Sequence, residues 1–170
     1  MSETVLVTYA TRYGSTKEVA EKIAEYLKKR GGIVDIIPSS QVTSLKKYQF
    51  IVIGAPFYVG KMLKDAKSFM QKFQNDLPQK KVAFFALGPL RDDEKDISKT
   101  KLQLESELEK YPWVKPISME MFGGKYDPDN LNFMDKFLTK PSASPLHGLE
   151  AIDIRNWEAI DKWAEELPIS

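Results

Sequence analysis

The sequence contains no cysteine and only one histidine, His147. The first absence excludes disulfides, iron–sulfur ligation and thiol catalysis, and a lone histidine gives no basis for a zinc site of the usual kind, so no metal is expected. Apolar runs of about 18 residues, the length that crosses a bilayer, are also missing, and no basic and hydrophobic leader opens the chain. These absences predict a cytoplasmic protein and leave peripheral membrane contact open.

A strong net charge of either sign is missing as well. The 170 residues include 25 Lys and Arg against 24 Asp and Glu, a formal net charge of +1. No global field therefore points to nucleic acid or to an anionic membrane. The composition, 42% hydrophobic and 29% charged residues, is ordinary for a soluble globular protein and fits a single domain over residues 1–170.

Strand and helix patterns alternate along the chain. Apolar runs predict five strands, at residues 4–9, 33–37, 50–53, 82–87 and 117–122. Apolar residues at helical spacing predict helices at 15–30, 63–73, 97–110 and 157–167, with Trp157 and Trp163 in the core. Five such βα units predict an α/β fold, a doubly wound parallel sheet with helices on both faces.

One segment interrupts this alternation, at about residues 123–148, between the fifth strand and the last helix. It is rich in proline, glycine, serine and aromatic residues. We expect a helix near 130–139 and a short strand near 149–154, and a segment this long is either functional or mobile. Its aromatic residues Tyr126, Phe133 and Phe137 either line a substrate mouth or pack against the sheet.

The fold class predicts where a ligand binds. In doubly wound sheets, ligands lie at the carboxyl ends of the strands, beside the point where the strand order reverses. The turns after strands one, three and four should meet there, which narrows the search to residues 11–16, 55–61 and 88–94.

The first of these turns, TRYGST, concentrates hydroxyl groups and a glycine ahead of a helix. Unpaired backbone N–H groups at a helix N-terminus suit an anion, and Thr11, Ser15 and Thr16 add side-chain donors. The alternative is a capping box, in which Ser15 caps the helix and Glu18 completes the motif. The NTPase loop and the dinucleotide fingerprint are absent, and no aspartate ends strand three as a receiver domain requires.

TRYGST resembles the flavodoxin phosphate loop, T/S-x-T-G-x-T, at Thr11, Gly14 and Thr16, and departs from it at Tyr13. With the five βα units, the resemblance extends over nearly the whole chain. It implies a flavodoxin-like sheet of strand order 2-1-3-4-5 and FMN as the cofactor. The residues that it implies for the FMN phosphate are Thr11, Arg12, Tyr13, Gly14, Ser15 and Thr16.

The resemblance also implies that the flavin ring lies between the second and third turns, GAPFYVGKM and LGPLRDDEKD. The residues implied there are Pro56, Phe57, Tyr58, Gly60, Lys61, Gly88, Pro89 and Leu90. Either Phe57 or Tyr58 stacks on the ring, with Tyr58 favoured, or both are packing residues. The chemistry is that of the flavin, so no catalytic side chain is assigned.

Within the superfamily, the T-R-x-G-x-T loop, the I-G-A-x-x-x-x-G stretch and the aromatic segment after strand five are similar to the menaquinone-dependent protoporphyrinogen IX dehydrogenase branch. That resemblance implies an oxidoreductase of haem biosynthesis, with a porphyrinogen and a quinone as substrates at a membrane surface. Segment 123–148 is less basic than the branch leads us to expect. The alternatives are a one-electron carrier that serves redox partner proteins and a flavin-binding regulatory protein without turnover.

Overall fold

The computed structural model describes residues 2–132, 135–136, 139, 142 and 146–170. The strands are β1 (Thr4–Tyr9), β2 (Ile33–Pro38), β3 (Phe50–Tyr58), β4 (Lys61–Met62), β5 (Lys81–Leu87), β6 (Ser118–Phe122), β7 (Lys125–Tyr126) and β8 (Ile152–Asp153). The α-helices that lie wholly within these ranges are α1 (Ser15–Lys29), α2 (Lys64–Lys72), α3 (Glu94–Leu108) and α4 (Trp157–Glu166). Short 3-10 helices cover Ser39–Gln41, Leu77–Gln79 and Pro128–Asn130.

The main sheet is parallel and has the strand order β2-β1-β3-β5-β6. This confirms the predicted order 2-1-3-4-5, because β4 is a two-residue strand that pairs with β3 off the main path and shifts the numbering by one. The order reverses at β1, where the chain turns back to place β3 on the other side. The edge beyond the carboxyl ends of β1 and β3 is therefore the expected ligand edge.

Two apolar cores hold the helices on the two faces of this sheet. Helices α1 and α4 pack on one face through Ile23, Leu27, Ile160 and Trp163. Helices α2 and α3 pack on the other face, where Phe69 and Leu104 join the second core. The strands read as nearly continuous apolar runs because they are covered on both sides, as in other parallel sheets.

Three predictions from the sequence need correction. The third strand continues to Tyr58 instead of ending at Ile53, because a short hairpin with β4 extends it. The third helix begins at Glu94, where the Asp93 carboxylate accepts a hydrogen bond from the Lys95 N–H at 2.8 Å. Trp157 is 37% exposed and lies under the Arg155 guanidinium, so it is not a core residue, whereas Trp163 is.

The segment that follows β6 is only partly described. It contains a small antiparallel sheet of β7 and β8, and the expected strand near 149–154 is found as β8. Asp135, Lys136 and Thr139 have helical backbone, in the region where a helix is expected. Tyr126 is buried, whereas Phe133 and Phe137 lie outside the described residues.

Over the described ranges, none of the helices combines the length and the apolar character that crossing a bilayer requires.

Candidate functional site

The three turns predicted to meet do so at the carboxyl edge of the sheet. The register places Tyr9 beside Gly54 and Pro56 beside Leu87, so β1, β3 and β5 reach this edge together. The Ala10 N–H also donates to the Gly54 carbonyl at 2.9 Å, which ties the first turn to the second. Residues 11–16, the β3–β4 hairpin and residues 88–90 therefore surround one region.

The first turn is shaped by a glycine with a left-handed backbone. Gly14 has φ of 90° and is the residue before α1, so the helix begins with Ser15. The Gly14 N–H donates to the Thr11 hydroxyl oxygen at 2.9 Å, which closes the turn. A Cβ at Gly14 would come within 4 Å of none of the described atoms outside its own neighbours, so its positive φ is the reason that favours glycine here.

The hydroxyl groups of this turn do not cap the helix. Among the described residues, no side chain makes a cap hydrogen bond at the start of α1. Glu18, the residue that would complete a capping box, turns instead to Arg155, with 2.6 Å between its Oε2 and Nη1. The capping-box alternative is therefore wrong, and the first N–H groups of α1 keep the donor capacity that every helix N-terminus has.

Thr16 is the most deeply buried residue of this turn. It is 0% exposed, and its Oγ1 is a buried polar atom without a hydrogen-bond partner among the described residues. Ser15 is 7% exposed and lies one residue before it. An unpartnered buried hydroxyl costs free energy, on the order of 1–3 kcal/mol, unless a ligand accepts its proton. Residues 11–16 therefore have the donor set of an anion site.

The second turn is a tight hairpin and not an open loop. Tyr58 pairs with Lys61 in antiparallel register, and Val59 and Gly60 form the two-residue turn between them. Both turn residues have positive φ, 49° and 70°, which type I′ turns require. Val59 is 88% exposed, so the tip of this hairpin projects from the surface.

Side chains alternate in direction along this hairpin. Phe57 is 2% exposed and belongs to the core under α2, which leaves its backbone as the part that can face a ligand. Tyr58, the next residue, is partly buried. Burial raises the pKa of the Tyr58 hydroxyl, and the Ser15 side chain and the Arg12 charge oppose that shift. Tyr58 therefore lies beside the first turn.

The third turn packs tightly on the start of the segment after β6. The Gly124 N–H donates to the Pro89 carbonyl at 2.9 Å. A Cβ on Gly124 would come within 2.6 Å of the Gly88 carbonyl oxygen and 3.4 Å of the Leu90 side chain. Glycine at 124 thus allows the segment to approach this turn, and Leu90 is a partly buried aliphatic residue.

The segment after β6 also reaches the first turn, which was not predicted. Arg12 Nη2 lies 2.5 Å from Asp135 Oδ1, and the Asn130 side-chain amide donates to the Tyr13 carbonyl at 3.4 Å. Asp135 is itself 9% exposed. Arg12 therefore has a protein partner, and the segment forms one wall of the site.

Arg155 is another buried charged residue that the sequence analysis did not single out. Its side chain is 3% exposed and hydrogen-bonds to Asp153, to Glu18 and to the Ser15 carbonyl oxygen. The sequence signal was weak, since an arginine between a short strand and a helix is usually a solvated residue. Its role depends on partners more than 130 residues away in the chain.

Comparisons with known proteins agree with this geometry. The flavodoxin domain model matches residues 6–146. Protoporphyrinogen IX dehydrogenase [quinone] of Escherichia coli K12 is 24% identical over 173 residues, which covers 95% of this chain and 93% of that protein. The flavodoxin of Nostoc sp. PCC 7120 is 29% identical over 90 residues, which covers 52% of this chain and 53% of that protein.

Solved structures show the same fold. A short-chain flavodoxin associated with a non-canonical PDU bacterial microcompartment superposes with a TM-score of 0.60 at 20% identity, over 96% of this chain and 95% of that one. Two-electron reduced Megasphaera elsdenii flavodoxin superposes with a TM-score of 0.55 at 15% identity, over 96% of this chain and 99% of that one. The family model matches most of the chain and the fold agrees with it, so this chain belongs to the flavodoxin family, as an FMN-binding redox protein.

Proposed function

We propose that residues 11–16 hold the phosphate of FMN. The support is the buried Thr16 hydroxyl that lacks a partner in the described structure, together with the uncapped N-terminus of α1. Neutral donors and a helix dipole suit a phosphate dianion, since they bind it without requiring a buried cation. Thr11 accepts from the Gly14 N–H, and its hydroxyl proton remains available for the phosphate. Arg12 supplies positive charge at the rim of this turn, and its ion pair with Asp135 reduces the effect of that charge on the phosphate.

The flavin ring is proposed to lie between the hairpin and the third turn. Pro56, Tyr58 and the backbone of Phe57, Gly60 and Lys61 form one side, and Gly88, Pro89 and Leu90 form the other. Tyr58 is the aromatic side chain that can stack on the ring, because Phe57 is buried in the core. Bound FMN supplies reversible electron acceptance, and an aromatic face that excludes water disfavours negative charge on the reduced ring.

The activity we propose is oxidation of a porphyrinogen coupled to reduction of a quinone. The observation that supports it is the reach of the sequence alignments: the dehydrogenase of Escherichia coli K12 aligns in sequence over 95% of this chain, whereas the Nostoc flavodoxin aligns over 52%. The fold does not separate the two functions, since flavodoxin structures superpose over 96% of the chain. The segment after β6 forms a wall of the site through Asp135 and Gly124. It is therefore placed to select what reaches the ring.

The alternative is a one-electron carrier, as in the flavodoxins themselves. Carriers of this family are usually acidic, since negative charge around the flavin steers them to basic partners. Here residues 61–81 contain six lysines and two aspartates, a balance of +4, beside a balance of −2 at residues 91–96. Lys61 and Lys64 are both exposed next to the hairpin tip. This mixed field favours the enzyme over a general acidic carrier.

A steady-state assay tests the enzyme. Under anaerobic conditions, the FMN-loaded protein with protoporphyrinogen and a soluble menaquinone analogue should produce porphyrin fluorescence, and the rate should depend on both. Heat-treated protein and the FMN-free protein are the controls. A rate equal to that of the controls contradicts the proposed activity.

A reductive titration separates the alternatives. A carrier should take up electrons in two resolved one-electron steps and pass them to a redox protein, whereas the proposed enzyme should reduce the quinone analogue directly. A regulatory flavoprotein without turnover remains only if the reduced protein transfers electrons to neither acceptor. Each of the three functions thus gives a different pair of results.

A further inference from the structure

Arg155 has an unusual environment for an arginine. Its side chain is 3% exposed, and it stacks over the Trp157 ring with 4.8 Å between the guanidinium carbon and the ring centroid. It makes a bidentate contact with the Asp153 carboxylate, in which Nε donates to Oδ1 at 2.9 Å and Nη2 donates to Oδ2 at 2.7 Å. This contact lowers the pKa of the Asp153 carboxyl, so the pair is charged at neutral pH.

The remaining donor group of Arg155 points to the first turn of α1. Nη1 donates to the Ser15 carbonyl oxygen at 3.2 Å and to Glu18 Oε2 at 2.6 Å. Ser15 is the first residue of α1, and its neighbour Thr16 has the unpartnered hydroxyl described above. The guanidinium therefore lies directly behind the turn that is proposed to hold the phosphate.

The position of Arg155 matters for phosphate binding because Glu18 carries a negative charge in the first turn of α1. A carboxylate in the first turn of a helix repels a dianion bound at the same N-terminus unless a cation neutralises it. Glu18 is contacted by Arg155 at 2.6 Å and by Lys125 at 3.7 Å. Lys125 is 36% exposed on its side chain, so its effect is screened by solvent, whereas Arg155 is buried.

We infer that Arg155 is a positioning residue for FMN, which holds the Ser15 carbonyl and neutralises Glu18 so that residues 11–16 favour a phosphorylated flavin over riboflavin. This inference rests on the proposed phosphate site. It assigns a part in cofactor selection to the connection between β8 and α4, where Arg155 lies. Arg155 acts through Ser15 and Glu18 and need not touch the cofactor.

A purely structural role makes a different prediction. If Arg155 only fastened β8 to α1, its loss would lower stability and would weaken binding of FMN and riboflavin by the same factor. If Arg155 neutralises Glu18, its loss should instead weaken the binding of FMN and leave the binding of riboflavin unchanged. The ratio of the two dissociation constants therefore separates the roles, because riboflavin has the same ring and no phosphate.

The experiment is a charge cycle on the full-length apoprotein, with FMN and riboflavin titrated separately by fluorescence quenching. The variants are Arg155→Gln, Glu18→Gln and the double variant. The matched control is Arg30→Gln, since Arg30 also donates to two carbonyl oxygens, those of Ala164 and Leu167, but at the opposite end of α1. Thermal unfolding of each variant measures the structural effect independently.

We expect Arg155→Gln to reduce the preference for FMN over riboflavin roughly tenfold. Glu18→Gln should raise this preference several-fold, and the double variant should return close to the parent value. Arg30→Gln should lower stability and leave the preference unchanged. Glu18 is half exposed, so Glu18→Gln tests the inference even if Arg155→Gln does not fold.

Two results overturn the inference. One is an equal change of both affinities in Arg155→Gln, and the other is a preference that Glu18→Gln lowers or leaves unchanged. Either result, with a parent protein that still prefers FMN, overturns the role of Arg155 and leaves the phosphate site intact. A parent protein without any preference overturns the proposed phosphate site, and the inference with it.

Discussion

Phe57 and Tyr58 are neighbours in β3, yet their side chains lie on opposite sides of the hairpin. Phe57 is 2% exposed in the core with Met62 and Phe69, whereas Tyr58 lies close enough to Ser15 and Arg12 for both to affect its pKa. The alternation follows from the strand, in which successive side chains point to opposite faces. It gives Phe57 a packing role and leaves Tyr58 as the residue that we propose for the cofactor contact.

Substitution should separate these two roles. Phe57→Ala should lower the free energy of unfolding by about 3–5 kcal/mol, because it removes a large buried side chain. Tyr58→Leu should change stability little and weaken both FMN and riboflavin by roughly threefold to tenfold, since the stacking surface is lost. Urea denaturation and flavin titration measure the two effects, and Tyr58→Phe is the control that keeps the ring. Unchanged flavin affinity in Tyr58→Leu would contradict the stacking role.

The hairpin tip contains a residue that its backbone does not suit. Val59 is β-branched and has φ of 49°, a conformation that favours asparagine or glycine. Val59→Asn creates an Asn-Gly turn and should raise the free energy of unfolding by about 1 kcal/mol. Val59→Thr keeps the β-branch and should give no such gain in thermal unfolding. Lower stability in Val59→Asn would show that the strain is not relieved.

Acid stability should depend on the Asp153–Arg155 pair. The Arg155 hydrogen bonds lower the folded-state pKa of the Asp153 carboxyl. A lowered pKa stabilises the folded state above the unfolded value of about 3.9, and this contribution is lost as pH falls through the folded value. Between pH 6 and pH 3, the stability of the parent should therefore fall more steeply than that of Asp153→Asn. Parallel curves in urea denaturation would show that Asp153 has no such role.

The fold was predictable because the signals for it are local. Each buried parallel strand is a run of apolar residues, and each helix has one apolar face, so the order of elements follows from short stretches of sequence. The glycine ahead of α1 is a local signal of the same kind, because the backbone of Gly14 has the positive φ that glycine adopts most easily. The rule for doubly wound sheets then gave the proposed location of the site, at the carboxyl ends of β1, β3 and β5.

The site was predicted less fully because its remaining parts depend on distant contacts. The hairpin was missed because Val59-Gly60 lacks the usual Asn-Gly signal of a type I′ turn. Arg155 and Asp135 could not be assigned from spacing, since their partners Ser15 and Arg12 lie more than 120 residues earlier. Glu18 followed the capping-box pattern and yet pairs with Arg155, because a buried guanidinium competes for its carboxylate.

The central claim is that the hydroxyl groups of residues 11–16 bind the phosphate of FMN. Thr16→Val keeps the volume of this fully buried side chain and removes its hydroxyl. Loss of one charge-assisted hydrogen bond, about 1.5–3 kcal/mol, predicts a tenfold to hundredfold weaker FMN complex. Thr43→Val, at an exposed position, is the matched control.

Calorimetric titration of the parent, Thr16→Val and Thr43→Val with FMN and with riboflavin measures this most directly. The account predicts that Thr16→Val loses FMN affinity by at least tenfold, keeps its riboflavin affinity, and differs from Thr43→Val. An FMN affinity of Thr16→Val equal to that of the parent would contradict it.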